Sequence, residues 1–445
     1  MIKKLAKSSQ TGARDSLWRR NPFLRPGAAL MTGSVVAQAV PVLLSPVLTR
    51  IYEPADFAAF ALFTAVNAVL SVIAAARYDQ AIMLPAEEKD AINVVALSVL
   101  ILCGVCAVLG LLVSLSYGLP DSWIKELHGE WLNLLPLAVF ATSFFHILSQ
   151  WNNRGGHFTK LALSRGTQGT AGGTAQCGLG YASLHAHGLI LGWLGGQVLG
   201  VLMLLRSNLD SLRGALQHVN RDRLKANAKV YRRFPLLSTW GALFDCGGSM
   251  MPLFIISHVF SATITGWFSF TVRVLAMPLF LISSAIAQVL HQRIARLNNE
   301  DPSQILPYIL RCAAVLTLIA IPFVVILALF GVELFTLIFG DKWSEAGRYA
   351  GLLALAIGIQ FIVSPLSVVL TLNHNLKACV QWQVLYFFTV TLTLTLGRNL
   401  SIDDFLVIYV IHELILYSLY FVVIIKAAGR RPTPTGLPDT LSNAG

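Results

Sequence analysis

Runs of about 20 apolar residues recur along this whole chain, and that repetition constrains its fold more than any other feature. One of them, AINVVALSVLILCGVCAVLGLLV (residues 91–113), carries no charge at all. An α-helix of that length crosses the hydrocarbon core of a bilayer, whereas an amphipathic helix of a soluble domain alternates apolar and polar faces. Composition agrees: 55% of the 445 residues are hydrophobic and only 12% charged, against roughly 25% charged in a soluble domain. These features point to an all-α, polytopic membrane protein.

Twelve spans are expected, near residues 28–49, 57–76, 91–117, 131–151, 161–182, 187–205, 235–257, 262–288, 307–330, 346–371, 379–397 and 403–426. The fifth, LALSRGTQGTAGGTAQCGLGYASL, is rich in Gly, Ala and Thr and suits close helix packing better than lipid exposure. The net charge of +11 follows membrane topology and not nucleic-acid binding. With the N-terminus inside, the tails and even-numbered gaps hold about 25 Lys and Arg, eight of them in residues 206–233. The odd-numbered gaps hold only Arg50, Lys125, Lys342, Arg348 and Arg398. This asymmetry puts both termini in the cytoplasm. The expected organisation is a basic tail (1–27), a six-helix lobe (28–205), a basic cytoplasmic linker (206–234), a second six-helix lobe (235–426) and a C-terminal tail (427–445). The first tail lacks the short apolar core and small-residue cleavage site of a signal peptide. A shift of 208 aligns TRIYEPADFAAFALF with SHVFSATITGWFSFT, an internal repeat of the kind that builds two related bundles around a substrate site.

The polar residues inside these spans carry the functional reading. Arg273 lies about twelve residues into the eighth span, too deep to snorkel to an interface. A charge at that depth costs ~2.5–3.5 kcal/mol and needs a partner or a wet cavity. Ser269 and Gln288 share its helical neighbourhood. Other stripes carry Ser34, Gln38, Ser45 and Thr49 in the first span, Ser238, Asp245 and Ser249 in the seventh, Gln360, Ser364 and Ser367 in the tenth, and Tyr409, His412, Glu413 and Tyr417 in the twelfth. Together they predict a central hydrated cavity. A guanidinium there binds phosphate oxygens in bidentate fashion. The cavity contacts expected for a diphosphate and its glycan are Arg273, Ser269, Gln38, Arg50, Gln288 and Gln360. Asp245 and Glu413 are the ion-coupling candidates. The alternative for Asp245 is neutralising Arg273, and for Glu413 it is bonding to His412 or a tyrosine. His146 reads as an interhelical histidine, and Arg77 and Arg311 as topology anchors. Cys103 and Cys106 form a lone CxxC inside an apolar run, with no further ligands for a metal. No catalytic, metal-binding or cofactor-binding group is expected.

Several motifs resemble one family. LTRIYEPADFAAFALF and RYDQAIMLPAEEKDAINVVALS resemble the N-terminal half of bacterial oligosaccharide (O-antigen-type) flippases of the multidrug/oligosaccharidyl-lipid/polysaccharide exporter superfamily. HGLILGWLGGQVLGVLMLL is similar to the family's sixth helix, and GWFSFTVRVLAMPLFLISSAIAQV to its eighth, with Phe268 and Thr271 in place of the usual Tyr and Ala. IFGDKWSEAGRYAGLLA and SPLSVVL resemble its ninth-to-tenth helix region. The resemblance implies two six-helix lobes moving an undecaprenyl-diphosphate-linked oligosaccharide to the outer leaflet of the bacterial inner membrane by alternating access. Arg273 matches the arginine of the family's eighth helix. The implied partners are the lipid-linked glycan, H+ or Na+ as coupling ion, membrane lipid, and a polysaccharide polymerase with its chain-length regulator. The eleventh span offers no acidic partner for Asp245, which favours H+ over Na+. The rival readings are a drug/cation antiporter of the same superfamily and a membrane polysaccharide polymerase or glycosyltransferase. The first expects acidic and aromatic cavity groups, and the second a large outer loop or a nucleotide-sugar motif.

Overall fold

A computed structural model describes Val40 and residues 43–116, 130–372 and 376–429. Among them every long element is an α-helix, and nine helices are long and apolar enough to cross a membrane. The contacts divide the chain into two compact units. One holds Ala59–Leu243 with the residues up to Tyr52; the other holds Glu53–Ala58 and everything from Phe244 onward.

In the first unit the helices are α1 (Ser45–Ile51), α2 (Pro54–Ala74, whose residues up to Ala58 group with the second unit), α3 (Glu88–Ser116), α4 (Leu135–Arg154), α5 (Phe158–Tyr181) and α6 (His185–Arg206). They are followed by the short α7 (Leu209–Leu216) and α8 (Arg221–Val230). The Gly-rich α5 is 24 residues long but is not among the nine apolar helices. It packs against α6 at backbone distance: a Cβ on Gly196 would lie 2.6 Å from the Gln168 carbonyl oxygen. Small residues therefore let polar side chains meet across the pair. Gln168 bonds Gln197, Gln176 Nε2 donates to the Leu189 carbonyl at 2.8 Å, and the Ser164 hydroxyl donates to the Gly200 carbonyl at 2.6 Å. Helix pairs in lipid rely on such contacts, because the tails supply no hydrophobic drive between helices. The Tyr52 hydroxyl ties α1 to this hairpin by donating to the Gln176 carbonyl at 2.7 Å.

The second unit contains α9 (Thr239–Val259, bearing Pro252), α10 (Ala262–Glu300), α11 (Ile305–Phe339), α12 (Ser344–Val363), α13 (Leu376–Leu396) and α14 (Ile402–Ala428); α9 begins just before the unit boundary. α10 starts at Ser261, whose hydroxyl caps the Ile264 N–H. α11 carries Pro322 and leaves helical geometry at Phe330 (φ −125°, ψ 16°). α11 and α12 approach at Gly331 and Gly347, where a Cβ would meet the opposing backbone. An aromatic cluster fills the end of the unit where α10 begins. Phe270 stands 5.3 Å from Phe57, 4.9 Å from Phe339 and 4.3 Å from Trp343 between ring centroids. Leu318, Leu337 and Leu396 are uncovered by protein, as lipid-facing residues should be.

Candidate functional site

Arg273 is the twelfth residue of the 39-residue α10, which is not among the nine apolar helices, and is half-buried. The buried stripe of α10 runs through Phe268, Thr271, Leu275 and Leu279, with the Thr271 hydroxyl donating to the Ala346 carbonyl of α12 at 2.8 Å. At about 100° per residue, Arg273 lies on the opposite side of the helix from that stripe. Phe270, buried against Phe339 and Trp343, lies about 60° from Arg273 on the same helix. Ser269, one turn earlier, is half-buried and donates to its own helix at the Gly266 carbonyl, 3.0 Å. Arg50 is exposed and donates to the Pro46 carbonyl at 2.7 Å. Gln38 and the Gln288 side chain lie outside the described residues.

A second polar centre lies inside the C-terminal unit. Glu413 on α14 is fully buried. Its carboxyl accepts from Gln360 Nε2 of α12 at 2.6 Å and from the Tyr386 hydroxyl of α13 at 3.0 Å. His412 Nδ1 lies 3.2 Å from the same carboxyl, while its Nε2 lies 3.2 Å from the Thr389 hydroxyl. Tyr409 engages Gln360 and Tyr386, and Tyr417 and Tyr420 reach Ser364 and Ser367. The polar stripes of the tenth and twelfth spans thus zip together. The Gln360 amide, expected from sequence to face the glycan, is engaged by Glu413. Glu413 does bond to both His412 and a tyrosine. Tyr386 was not singled out in the sequence; only its place in an apolar run beside Thr389 marked it.

Asp245 on α9 is exposed and within electrostatic reach of Cys379, Tyr417 and Tyr420. α9 meets α13 at Gly248, where a Cβ would lie 2.9 Å from the Tyr386 ring. The helix that carries Asp245 therefore packs against the one that carries Tyr386, a donor to Glu413. Among the described residues no three His, Cys, Asp or Glu side chains are grouped to hold a metal ion.

The first unit holds a charged cluster that the sequence reading did not assemble. After α2 the chain turns through Ala76 (φ 46°) and Arg77 (φ 60°), left-handed conformations that non-glycine residues seldom adopt. This turn brings Arg77 and Asp79 into reach of His146 on α4, which in turn feels Arg165 on α5. Burial pushes the Asp79 carboxyl above the usual aspartate range, against the opposing pull of Arg77 and His146. The four residues come from three separated segments, and no spacing in the sequence connects them.

Several solved transporters share this fold. Lipid II flippase MurJ, in an inward closed conformation, matches with a TM-score of 0.64 at 14% identity, over 91% of this chain and 87% of that one. An inward-facing multidrug resistance MATE family transporter of the MOP superfamily matches at 0.59 and 14%, over 90% and 94% of the two chains. The MATE transporter ClbM in complex with Rb+ matches at 0.52 and 14%, over 91% and 96%. No curated protein sequence matches the chain. A family model described as polysaccharide biosynthesis protein matches residues 47–348. That is more than half the chain, and the protein belongs to this polysaccharide biosynthesis family.

Proposed function

We propose that the protein is a flippase carrying a polyprenyl-diphosphate-linked oligosaccharide, an O-antigen or similar surface-polysaccharide repeat unit. Transport runs from the cytoplasmic to the periplasmic leaflet of the bacterial inner membrane by alternating access. The single observation that carries this reading is Arg273, a permanent cation twelve residues into α10 and opposite Thr271, Leu275 and Leu279 on that helix. The lipid tail of such a substrate stays in hydrocarbon while its diphosphate and sugars need a polar path. A guanidinium lowers the cost of taking the diphosphate out of water, through paired charge-assisted hydrogen bonds. The likeness in fold extends to a lipid II flippase and to multidrug transporters alike, and a cavity cation favours an anionic cargo over a cationic drug. Carrying the headgroup needs no covalent chemistry.

Transport is coupled to H+ or Na+ through Asp245 and Glu413. One charge moving across ~100 mV supplies ~2.3 kcal/mol, enough to bias the cycle. The cation held by one structural neighbour, ClbM, supports an ion-coupled scheme. Both termini lie in the cytoplasm, following the Lys and Arg asymmetry.

The test is surface-glycan export in cells lacking the native gene and carrying variants. Arg273→Ala should abolish export with normal protein in the membrane; full export by that variant removes Arg273 from the substrate path and the reading with it. Asp245→Asn should retain folding but lose the dependence of transport on the ion gradient.

A further inference from the structure

The basic linker between the two six-helix halves is folded, and its fold creates a cleft that the transport reading does not use. Asn93 of α3 anchors it: its Nδ2 donates to the His218 carbonyl at 3.1 Å, and its Oδ1 accepts the Asn220 N–H at 3.0 Å. Asp90 accepts from Arg223 at 3.2 Å and from Asn227 at 3.4 Å, and the Tyr78 hydroxyl donates to the Ala228 carbonyl at 3.0 Å. These bonds hold α8 against the start of α3. Between them opens a cleft of about 500 Å³, whose polar lining is Lys89, Gln217, His218, Asn220, Arg221 and Arg223.

The lining contains three permanent cations, one histidine and no carboxylate. Arg223 is oriented by Asp90 and lies 3.8 Å from Glu87. Among the described residues Lys89 and Arg221 take part in no ion pair. Converging like charges repel one another unless an anion sits between them. The neighbouring α7 buries Leu212 and Ala215 but leaves Leu209 and Leu216 exposed, the pattern of a helix lying in the membrane interface. The linker also lies on the side that the basic-residue asymmetry gives to the cytoplasm, whose leaflet is anionic.

We infer that this cleft binds a phosphate-bearing headgroup, with Lys89 and Arg221 as its principal contacts. Lys89 contributes a point charge, Arg221 a fork that fits two phosphate oxygens, and Gln217 and His218 supply neutral hydrogen bonds. The volume exceeds what a bare phosphate fills and leaves room for the ester that carries it. The chemistry is shared by an anionic phospholipid and a soluble phosphate compound, and the exposed leucines of α7 favour the lipid.

The test uses the purified full-length protein in detergent and the Lys89→Gln/Arg221→Gln double variant. Three probes are titrated: dioctanoyl phosphatidylglycerol, dioctanoyl phosphatidylcholine and inorganic pyrophosphate. Losing two charge-assisted contacts should weaken binding of phosphatidylglycerol roughly tenfold or more, with phosphatidylcholine weak throughout. Pyrophosphate that binds with the same sensitivity while phosphatidylglycerol does not identifies a soluble ligand for the same site. Binding of phosphatidylglycerol and pyrophosphate that is unchanged in the double variant, or absent from the wild type, overturns the inference, as does equal binding of the two lipids. Both substituted residues are exposed, and Arg398→Gln, which removes an exposed cation that does not line the cleft, serves as a folded control with wild-type binding.

Discussion

Asp79 shows how a single side chain can carry a pH signature in a protein otherwise poor in titratable surface. It sits in the turn after α2, outside the spans, and its carboxyl titrates above the ordinary aspartate range because burial disfavours the charge more than Arg77 and His146 favour it. The unfolded chain then gives up this proton at lower pH than the folded one. The contribution of Asp79 to stability is therefore full below the ordinary aspartate value and is lost as the pH rises through the raised one. Asp79→Asn should melt with the wild type at acid pH and above it at neutral pH, measured by thermal unfolding in detergent across pH 3–8; a neutral-pH melt below the wild type would show that attraction to Arg77 and His146 outweighs desolvation. Arg273 is the contrasting case. Its depth in an apolar run was legible from sequence, because charge inside hydrocarbon is rare enough to announce itself. The Asp79 cluster was not, because the left-handed turn at Ala76 and Arg77 brings together residues whose spacing follows no helical period.

Among the elements, α10 depends most on one small residue. A Cβ on Gly266 would collide with the Pro54 carbonyl oxygen in the first turn of α2, which groups with the second unit. The same region is held by the ion pair between Lys342 and Glu53 and by the Trp267 indole N–H, which donates to the Lys342 carbonyl at 2.9 Å. Alanine in mid-helix gains about 1 kcal/mol over glycine from propensity, while overpacking costs ~1–3 kcal/mol. Because the obstacle is backbone, the second term should win. Gly266→Ala is expected to lower the melting temperature, and a variant as stable as the wild type would mean that the two segments part at little cost. Elements with strong apolar runs were read directly from sequence, and α5 was legible as a packing helix from its glycines. Partnerships such as Gln360 with Glu413 were not, because helix rotation and depth decide which polar stripes meet, and neither is encoded in hydropathy.

At the scale of the whole molecule, the order in which helices are made matters as much as where they end up. Glu413 belongs to α14, the last long helix among the described residues, while its donors Gln360 and Tyr386 belong to α12 and α13. Chains emerge N-terminal part first, so both donors precede the acid into the bilayer. A solitary acid at a helix centre costs ~2.5–3.5 kcal/mol to insert, and charge-assisted bonds return ~1.5–3 kcal/mol each. Two waiting donors are enough to offset the cost. Gln360→Leu combined with Tyr386→Phe should therefore reduce the fraction of newly made chains in which α14 spans, scored by accessibility of a cysteine placed at Lys426, and Glu413→Gln in the same background should restore it. Insertion indifferent to those donors would mean that α14 enters alone and docks afterwards. The buried acid thus makes the insertion of its own helix conditional on the two helices before it, a proofreading of assembly order written into one side chain.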